Sequence, residues 1–215
     1  MKKPKRDAVF QDAQMAVSAL VDYAGFFCLP SVDLAPADIA RSSVAGACTK
    51  SLSRKCAGAA DMYRTWADQS VPSLIKSMRY VINQEQYDRL VRKAGLDLLR
   101  IWRDQSPDRL ALAAFGEAFR VIDRLFMSIN ESQACRSGAI QGYLHVPLDG
   151  ATLKPLRLCV DELLGRDFAV AIPSVIPPGF VSTEELYSLL EEAIFTLAAR
   201  AGVPPIVYAY YCQEL

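Results

Sequence analysis

The chain contains a single histidine, His145, and none of its six cysteines forms a C-x-x-C pair. Common structural zinc sites combine closely spaced Cys and His ligands, so the sequence predicts no metal site. The patterns G-x-x-x-x-G-K-[S/T], G-x-G-x-x-G and G-x-S-x-G do not occur either. Their absence argues against the usual nucleotide-binding loops and against the nucleophile elbow of hydrolases. We therefore predict no cofactor.

Long apolar runs are also missing, and no stretch approaches the roughly 18–20 apolar residues of a membrane-spanning helix. The opening MKKPKRDAVFQDAQ is basic, but polar residues interrupt the apolar segment that a signal peptide needs. The even number of cysteines therefore does not indicate a disulfide framework. We expect a cytoplasmic protein without membrane contact.

What the sequence does have is apolar content and an uneven charge distribution. The chain has 215 residues, of which 52% are hydrophobic, which is enough for a substantial core. Residues 1–109 hold 17 Lys and Arg against 12 Asp and Glu, whereas residues 110–215 hold 7 against 12. This split fits a basic surface on the first half, and equally an attraction between the two halves.

Helical periodicity dominates residues 1–130. The pattern predicts a helix that is capped by Asp7 and ended by Pro30, a second that begins near Pro36, and a third with Pro72 in its first turn. A fourth helix is predicted to end at Gly95, and a fifth to follow Ser106 with an inner side of Leu112, Phe115, Phe119, Ile122 and Phe126.

Cys48 and Cys56 lie eight residues apart on one face of the second predicted helix. At 1.5 Å per residue they are about 12 Å apart, too far for a disulfide in a regular helix. Small residues surround both. We interpret them as buried filler, with a reactive thiol at Cys56, beside Arg54 and Lys55, as the alternative.

Residues 131–215 show a different pattern. AIQGYLHVPL alternates between apolar and polar residues, FAVAIP is a continuous apolar run, and PPIVYAYYCQEL is aromatic and β-branched. These features predict three strands. A helix from Thr152 to Gly165 and another from a Ser182–Glu185 capping box to Gly202 lie between them. The predicted fold class is α+β: a helical region (1–130) packed on a small β-α-β-α-β unit (131–215), in one compact body.

Basic side chains cluster in YDRLVRKAGLDLLRIWRD, which resembles a helix–turn–helix in length and in the position of its glycine. Leu98 and Leu99 occupy positions where base-reading polar side chains belong, so any nucleic-acid contact is predicted to be electrostatic and tolerant of sequence. Glu85 and Asp88 lie four residues before Arg89 and Arg92, so ordinary ion pairs are an alternative explanation. The candidate residues are Arg89, Arg92, Lys93, Arg100, Arg103 and the tail residues Lys2, Lys3, Lys5 and Arg6.

These observations favour a non-enzymatic binding or assembly protein, such as a subunit of a larger complex. Its basic first half would contact nucleic acid or an acidic protein. The alternative is an enzyme whose site is assembled from distant residues around His145, with Tyr143 and either Cys159 or Cys212 as partners. A concave pocket around His145 with a second titratable group would favour a functional role for this histidine.

Overall fold

The computed structural model describes residues 9–28, 34–43, 58–105, 114–132, 140–165, 171–177 and 179–214. In these ranges every regular element is a helix. They are α1 (Ala13–Ala24), α2 (Pro36–Ser42), α3 (Ala59–Met78), α4 (Gln84–Gln105), α5 (Ala114–Glu131), a 3₁₀ turn (Ile140–Gly142), α6 (Gly150–Leu156), α7 (Val160–Leu164), α8 (Glu184–Ala201) and α9 (Pro205–Glu214). The α+β prediction is wrong, because the described residues of 131–215 contain no strand.

The C-terminal run shows why the strand prediction failed. Pro205 begins a helix, α9, rather than a strand, and Ile206, Tyr208 and Cys212 are all buried in it. A short run that is apolar on every side has no period to separate a strand from a helix that is buried all round. FAVAIP spans residues 168–173, of which 168–170 lie outside the described residues and 171–173 have no regular structure.

The alternating segment has a different explanation. Leu144 and Val146 are fully buried as predicted, but residues 144–148 have no regular secondary structure, and all five are buried. The backbone N–H of Val146 donates to the side-chain carboxylate of Glu191, 3.2 Å from both oxygens. A carboxylate from α8 therefore takes the place of a neighbouring strand.

Several helix boundaries in the structure differ from the predicted ones. Asp12 caps α1 by accepting from the N–H of Met15, whereas Asp7 lies outside the described residues. The second predicted helix, which begins near Pro36 and carries Cys48 and Cys56, would extend as far as Trp66. Instead, α2 ends at Ser42, and Gly58, with a φ of +80°, precedes a separate helix, α3. Pro72 lies inside α3 rather than at a helix start. Cys48 and Cys56 lie outside the described residues.

The C-terminal half shows both confirmed and corrected boundaries. The predicted ends at Gly165 and Gly202 are confirmed, with φ values of +63° and +67°. Two short helices, α6 and α7, replace the single helix predicted from Thr152. Thr183, not Ser182, caps α8 by accepting from the N–H of Leu186.

Helix α4 is continuous through Gly95, so the helix–turn–helix interpretation is wrong. A Cβ at Gly95 would lie 2.7 Å from two ring atoms of Phe119, so the glycine allows α5 to approach α4 closely. Helices α3, α4 and α5 pack in succession, α8 packs against α1, α7 and α9, and α5 meets α8. One hydrophobic core, which includes residues from both halves of the chain, joins these groups.

Candidate functional site

A cavity of about 230 Å³ opens where α4, α5, α8 and the segment 144–148 meet. Its walls combine carboxylates, one arginine, one imidazole and apolar side chains. The lining residues are Gln84, Asp88, Val91, Arg92, Phe119, His145, Glu184, Tyr187, Ser188, Glu191, Glu192 and Phe195. Concave apolar sites with a few convergent polar groups are the usual form of small-molecule sites.

His145 is held at this cavity because the residues on either side of it anchor the segment 144–148 in the core. The buried side chains of Leu144 and Val146 anchor the backbone on either side. The imidazole is only 8% exposed, and it meets the rings of Tyr87 and Phe195 edge-on, with centroids 5.1 and 5.9 Å away. The ring is therefore held in one orientation by packing as well as by hydrogen bonds.

Both imidazole nitrogens have protein partners. Nε2 lies 2.9 Å from Oδ1 of Asp88, and Nδ1 lies 2.9 Å from the hydroxyl of Tyr187. The same Tyr187 hydroxyl lies 3.0 Å from each carboxylate oxygen of Asp123, within hydrogen-bond distance. Gln84 donates to the same Asp88 oxygen at 2.8 Å and to the carbonyl of Tyr143 at 3.1 Å. A continuous hydrogen-bonded chain thus runs from a half-exposed carboxylate to a fully buried one.

The two ends of this chain have opposite electrostatics. Partial burial raises the pKa of Asp88, but hydrogen bonds from His145 and Gln84 outweigh this and lower the pKa overall. Complete burial raises the pKa of Asp123 well above its usual range, against the smaller effect of the Tyr187 hydrogen bond. Burial, and then the charge of Asp123, also raise the pKa of Glu191. Asp88 is accordingly an anion at neutral pH, whereas burial favours protonated carboxyls at Asp123 and Glu191.

An ion pair borders the cavity. Arg92 donates from Nε to Glu184 at 2.5 Å and from Nη2 to the other carboxylate oxygen at 3.2 Å. This two-point contact joins α4 to the first residue of α8, whose N-terminus is fixed by the Thr183 cap. The pair holds the two cavity-lining helices together at this point.

The predicted basic residues lie mostly on one helix, and most of those described are paired. Arg89 contacts Glu85 at 3.0 Å, and Arg100 contacts Asp97 at 3.7 Å. Lys93 and Arg103 are exposed. The tail residues Lys2, Lys3, Lys5 and Arg6 lie outside the described residues. Ion pairing therefore accounts for part of the charge cluster, and the nucleic-acid surface stays a prediction.

The partners predicted for His145 are not the ones the structure provides. The hydroxyl of Tyr143 donates to the carbonyl of Ile82 instead. Cys159 contacts the carbonyl of Leu156, and burial raises the pKa of its thiol to about 12. Burial also raises the pKa of Cys212. Both thiols are thus uncharged at neutral pH, which is unfavourable for a nucleophile, and neither lines the cavity.

The residues that do form the site were missed, although two carried a signal. Asp123 lies four residues after Phe119 and three before Phe126, on the apolar side of α5. Glu191 lies four residues after Tyr187 and three before Ile194, on the buried side of α8. A carboxylate at an apolar position of a helical pattern indicates a buried polar group that needs a partner.

Within the described ranges, no group of three or more His, Cys, Asp or Glu side chains could hold a metal ion. In the same ranges no single helix is long and apolar enough to span a membrane, although α8 and α9 together, bent by 97°, meet the length and composition test. Comparison with protein-family models, curated proteins and solved structures found no match to this chain.

Proposed function

We propose that the protein binds a small organic cation, such as an amine with an apolar body, in the cavity around His145. The observation that carries the proposal is the composition of the cavity wall. Four carboxylates, from Asp88, Glu184, Glu191 and Glu192, lie around apolar side chains, against one arginine.

The charge balance of the wall favours a cation. Arg92 offsets Glu184 through their ion pair. Burial raises the pKa of Glu191, so this carboxyl is favoured in its neutral form. The half-exposed carboxylate of Asp88, an anion at neutral pH, then leaves the wall negative. A negative, partly desolvated cavity concentrates cations and disfavours anions.

The apolar part of the wall accommodates the body of the ligand. Val91, Phe119 and Phe195 line the cavity, and Phe119 is stacked on Phe115 with ring centroids 4.3 Å apart. Aromatic faces also attract cations. The volume of about 230 Å³ lies below the roughly 300–1,000 Å³ of sites for drug-sized ligands, which favours a small ligand.

The hydrogen bonds of His145 favour binding over general-base catalysis by this residue. A general base needs a ring nitrogen within reach of the substrate proton. Here Nε2 faces Asp88 and Nδ1 faces Tyr187. The imidazole therefore takes part in a protein network, and the group at the cavity that is open to a ligand is the half-exposed carboxylate of Asp88.

Three ligands that share a phenylalkyl group but differ in charge test the proposal. We would titrate the full-length protein by calorimetry with 2-phenylethylamine, 2-phenylethanol and 3-phenylpropanoate, which are cationic, neutral and anionic at pH 7. The amine is expected to bind most tightly and the acid not at all. Asp88→Asn should weaken amine binding about tenfold, because a hydrogen bond to a charged group contributes about 1.5–3 kcal/mol and Asp88 is partly exposed.

The chain offers a matched control in Glu85→Gln. Glu85 lies on the same helix, is exposed, and pairs with Arg89 outside the cavity. Removing its charge should leave amine binding unchanged. Absence of amine binding, or an equal loss in Asp88→Asn and Glu85→Gln, would overturn the proposal.

A second candidate function, docking of an acidic protein segment, is favoured by a separate surface. Tyr80 and Ile82 are each 72% exposed, and Tyr80 borders a shallow hollow of about 290 Å³ that Arg89 and Lys93 also line. Exposed apolar side chains beside cations suit an acidic segment with an apolar anchor. Nucleic acid is the other partner that these cations could contact.

The test of this surface is a fluorescence titration with an acidic, leucine-containing peptide and with single- and double-stranded oligonucleotides. Lys93→Glu should abolish peptide binding, whereas Arg103→Glu, outside the hollow, should not. Binding only to oligonucleotides, with a steep salt dependence, would replace the acidic segment by nucleic acid. Binding to neither would remove this candidate function.

A further inference from the structure

The Tyr187 hydroxyl carries a single hydrogen and has two neighbours that could accept it. This oxygen lies within hydrogen-bond distance of Nδ1 of His145 and of both carboxylate oxygens of Asp123. A phenol donates only one hydrogen bond, so it can donate to only one of these two residues at a time. The direction of this bond therefore fixes which protons the neighbours must carry.

One arrangement has Asp123 ionised. Tyr187 then donates to the carboxylate, so Nδ1 must donate to the tyrosine oxygen. Nε2 must also donate, because it faces the Asp88 carboxylate at 2.9 Å. With both nitrogens protonated, His145 is a cation between two anions.

The other arrangement has Asp123 protonated. Its hydroxyl donates to the oxygen of Tyr187, the tyrosine donates to Nδ1, and Nε2–H still donates to Asp88. The imidazole is then neutral, and every polar atom of the chain keeps a partner. Both arrangements contain the same number of protons and differ only in where those protons lie.

We infer that Asp123 holds a proton for His145 and exchanges it through the hydroxyl of Tyr187. In the transfer, the N–H bond at Nδ1 breaks as a new O–H bond forms on Tyr187. The original O–H bond of the tyrosine breaks at the same time, and that proton bonds to Asp123. No proton enters or leaves the chain, and no co-reactant is required.

Burial decides which arrangement prevails at neutral pH. Asp123 is 0% exposed, and a buried carboxylate loses the hydration that stabilises its charge. The neutral arrangement, with the proton on Asp123, is therefore favoured. Titratable or charged groups from three helices and from the segment 144–148 face the network. They are Tyr87, Asp88 and Arg92 from α4, Asp123 from α5, His145 from the segment, and Glu184, Tyr187, Glu191 and Glu192 from α8.

The consequence for the cavity rests on the proposed binding of a cation. A cationic imidazole beside Asp88 would repel such a ligand, whereas a neutral one leaves the aspartate charge available. The relay through Tyr187 lets the cavity wall lose its positive charge without releasing a proton to solvent. Asp123 and Tyr187 are thus positioning residues that act on the ligand through His145.

The test uses the ligand-free, full-length protein labelled with ¹⁵N-histidine. Because the chain has one histidine, the two imidazole nitrogens give unambiguous signals between pH 5 and pH 10. In the wild type at pH 7, we expect the proton on Nε2 and none on Nδ1. At higher pH, ionisation of Asp123 turns the Tyr187 hydroxyl toward the carboxylate. Nδ1 then loses its hydrogen bond, while Nε2–H still donates to Asp88, so the Nδ1 signal should shift.

Three variants separate the relay from a merely structural role. Asp123→Asn cannot ionise, and its amide donates as the protonated acid does, so the Nδ1 signal should not shift as the pH rises from 7 to 10. Tyr187→Phe breaks the chain and should also abolish this shift. Tyr143→Phe removes a nearby hydroxyl that contacts Ile82 instead, and should behave like the wild type.

A doubly protonated wild-type imidazole at pH 7, or coinciding profiles for the wild type and Asp123→Asn, would overturn the inference. Because no ligand is present, this outcome is independent of amine binding. A pH-dependent shift of the Nδ1 signal without amine binding would leave the relay standing and remove only the proposed function.

Discussion

Replacing Asp123 by Asn should make the protein less sensitive to rising pH. Burial raises the pKa of Asp123 in the folded protein well above its usual range, whereas the unfolded chain has an Asp pKa of about 3.9. Below about pH 3.9 both states hold the proton. As pH rises, the unfolded chain releases it and the folded protein keeps it, so the free energy of unfolding falls until the pH reaches the folded pKa.

The size of this effect follows from the number of protons retained. One retained proton lowers the free energy of unfolding by about 1.4 kcal/mol per pH unit, or about 2.7 kcal/mol between pH 5 and pH 7. Glu191 is also buried, and its pKa is raised by burial and by Asp123. The free energy of unfolding of the wild type should therefore fall by up to twice that amount between pH 5 and pH 7. In Asp123→Asn the fall should be smaller by about 2.7 kcal/mol, the contribution of one retained proton.

The assay is urea unfolding at pH 5, 6, 7 and 8, followed by the fluorescence of the tryptophans, of which Trp102 is fully buried. The isosteric amide keeps a partner at Tyr187, so the variant is expected to fold. Asp68→Asn, a change of the same type on the exposed side of α3, should leave the wild-type slope intact. Parallel pH profiles for Asp123→Asn and the wild type would refute the reasoning.

Three further predictions concern the scaffold. Gly116→Ala should lower the free energy of unfolding by about 1–3 kcal/mol, because its Cβ would lie 2.3 Å from the backbone oxygen of Val181; Gly142→Ala, with open space around it, should not. Deletion of residues 204–215 should abolish the cooperative melt, since α9 is buried along most of its length; an unchanged melt would contradict this. Thr183→Ala should cost about 1 kcal/mol in urea unfolding through loss of the α8 cap, and no change would show that the cap is dispensable.

Local signals in the sequence predicted the parts of the fold that depend on single residues. Gly202 ends α8 in the left-handed conformation, and Pro36 begins α2, as their chemistry requires. At Gly95 the same kind of signal wrongly predicted a helix end, because α4 continues through this residue. Its role is to admit the ring of Phe119 from another helix, a contact 24 residues away that no local pattern contains.

The prediction of a β-sheet was wrong for a related reason. The alternation correctly indicated that Leu144 and Val146 are buried, but the half-buried strand is wrong, because residues 144–148 form no strand and all five are buried. Period two also does not specify which group pairs with the backbone N–H groups. Here the acceptor is the side chain of Glu191 on α8. Tertiary burial likewise made a helix of the run from Ile206 to Cys212, whose β-branched and aromatic residues favour strands in isolation.

The candidate site was predictable only at its centre. The single histidine drew attention to His145, but Asp88, Tyr187 and Asp123 come from three different helices. Their convergence depends on how α4, α5 and α8 pack, which the sequence pattern does not encode. Only the positions of Asp123 and Glu191 on apolar helix faces indicated a buried polar network in advance.

The most direct test of the cavity as the functional site is the His145 imidazole signal during a titration with 2-phenylethylamine at pH 7. The account predicts a saturable shift that reaches its end point with the calorimetric binding curve, no shift with 3-phenylpropanoate, and a weakened response in Asp88→Asn. An imidazole signal that does not move while the amine binds would place the ligand elsewhere, and would contradict the assignment of this cavity as the binding site.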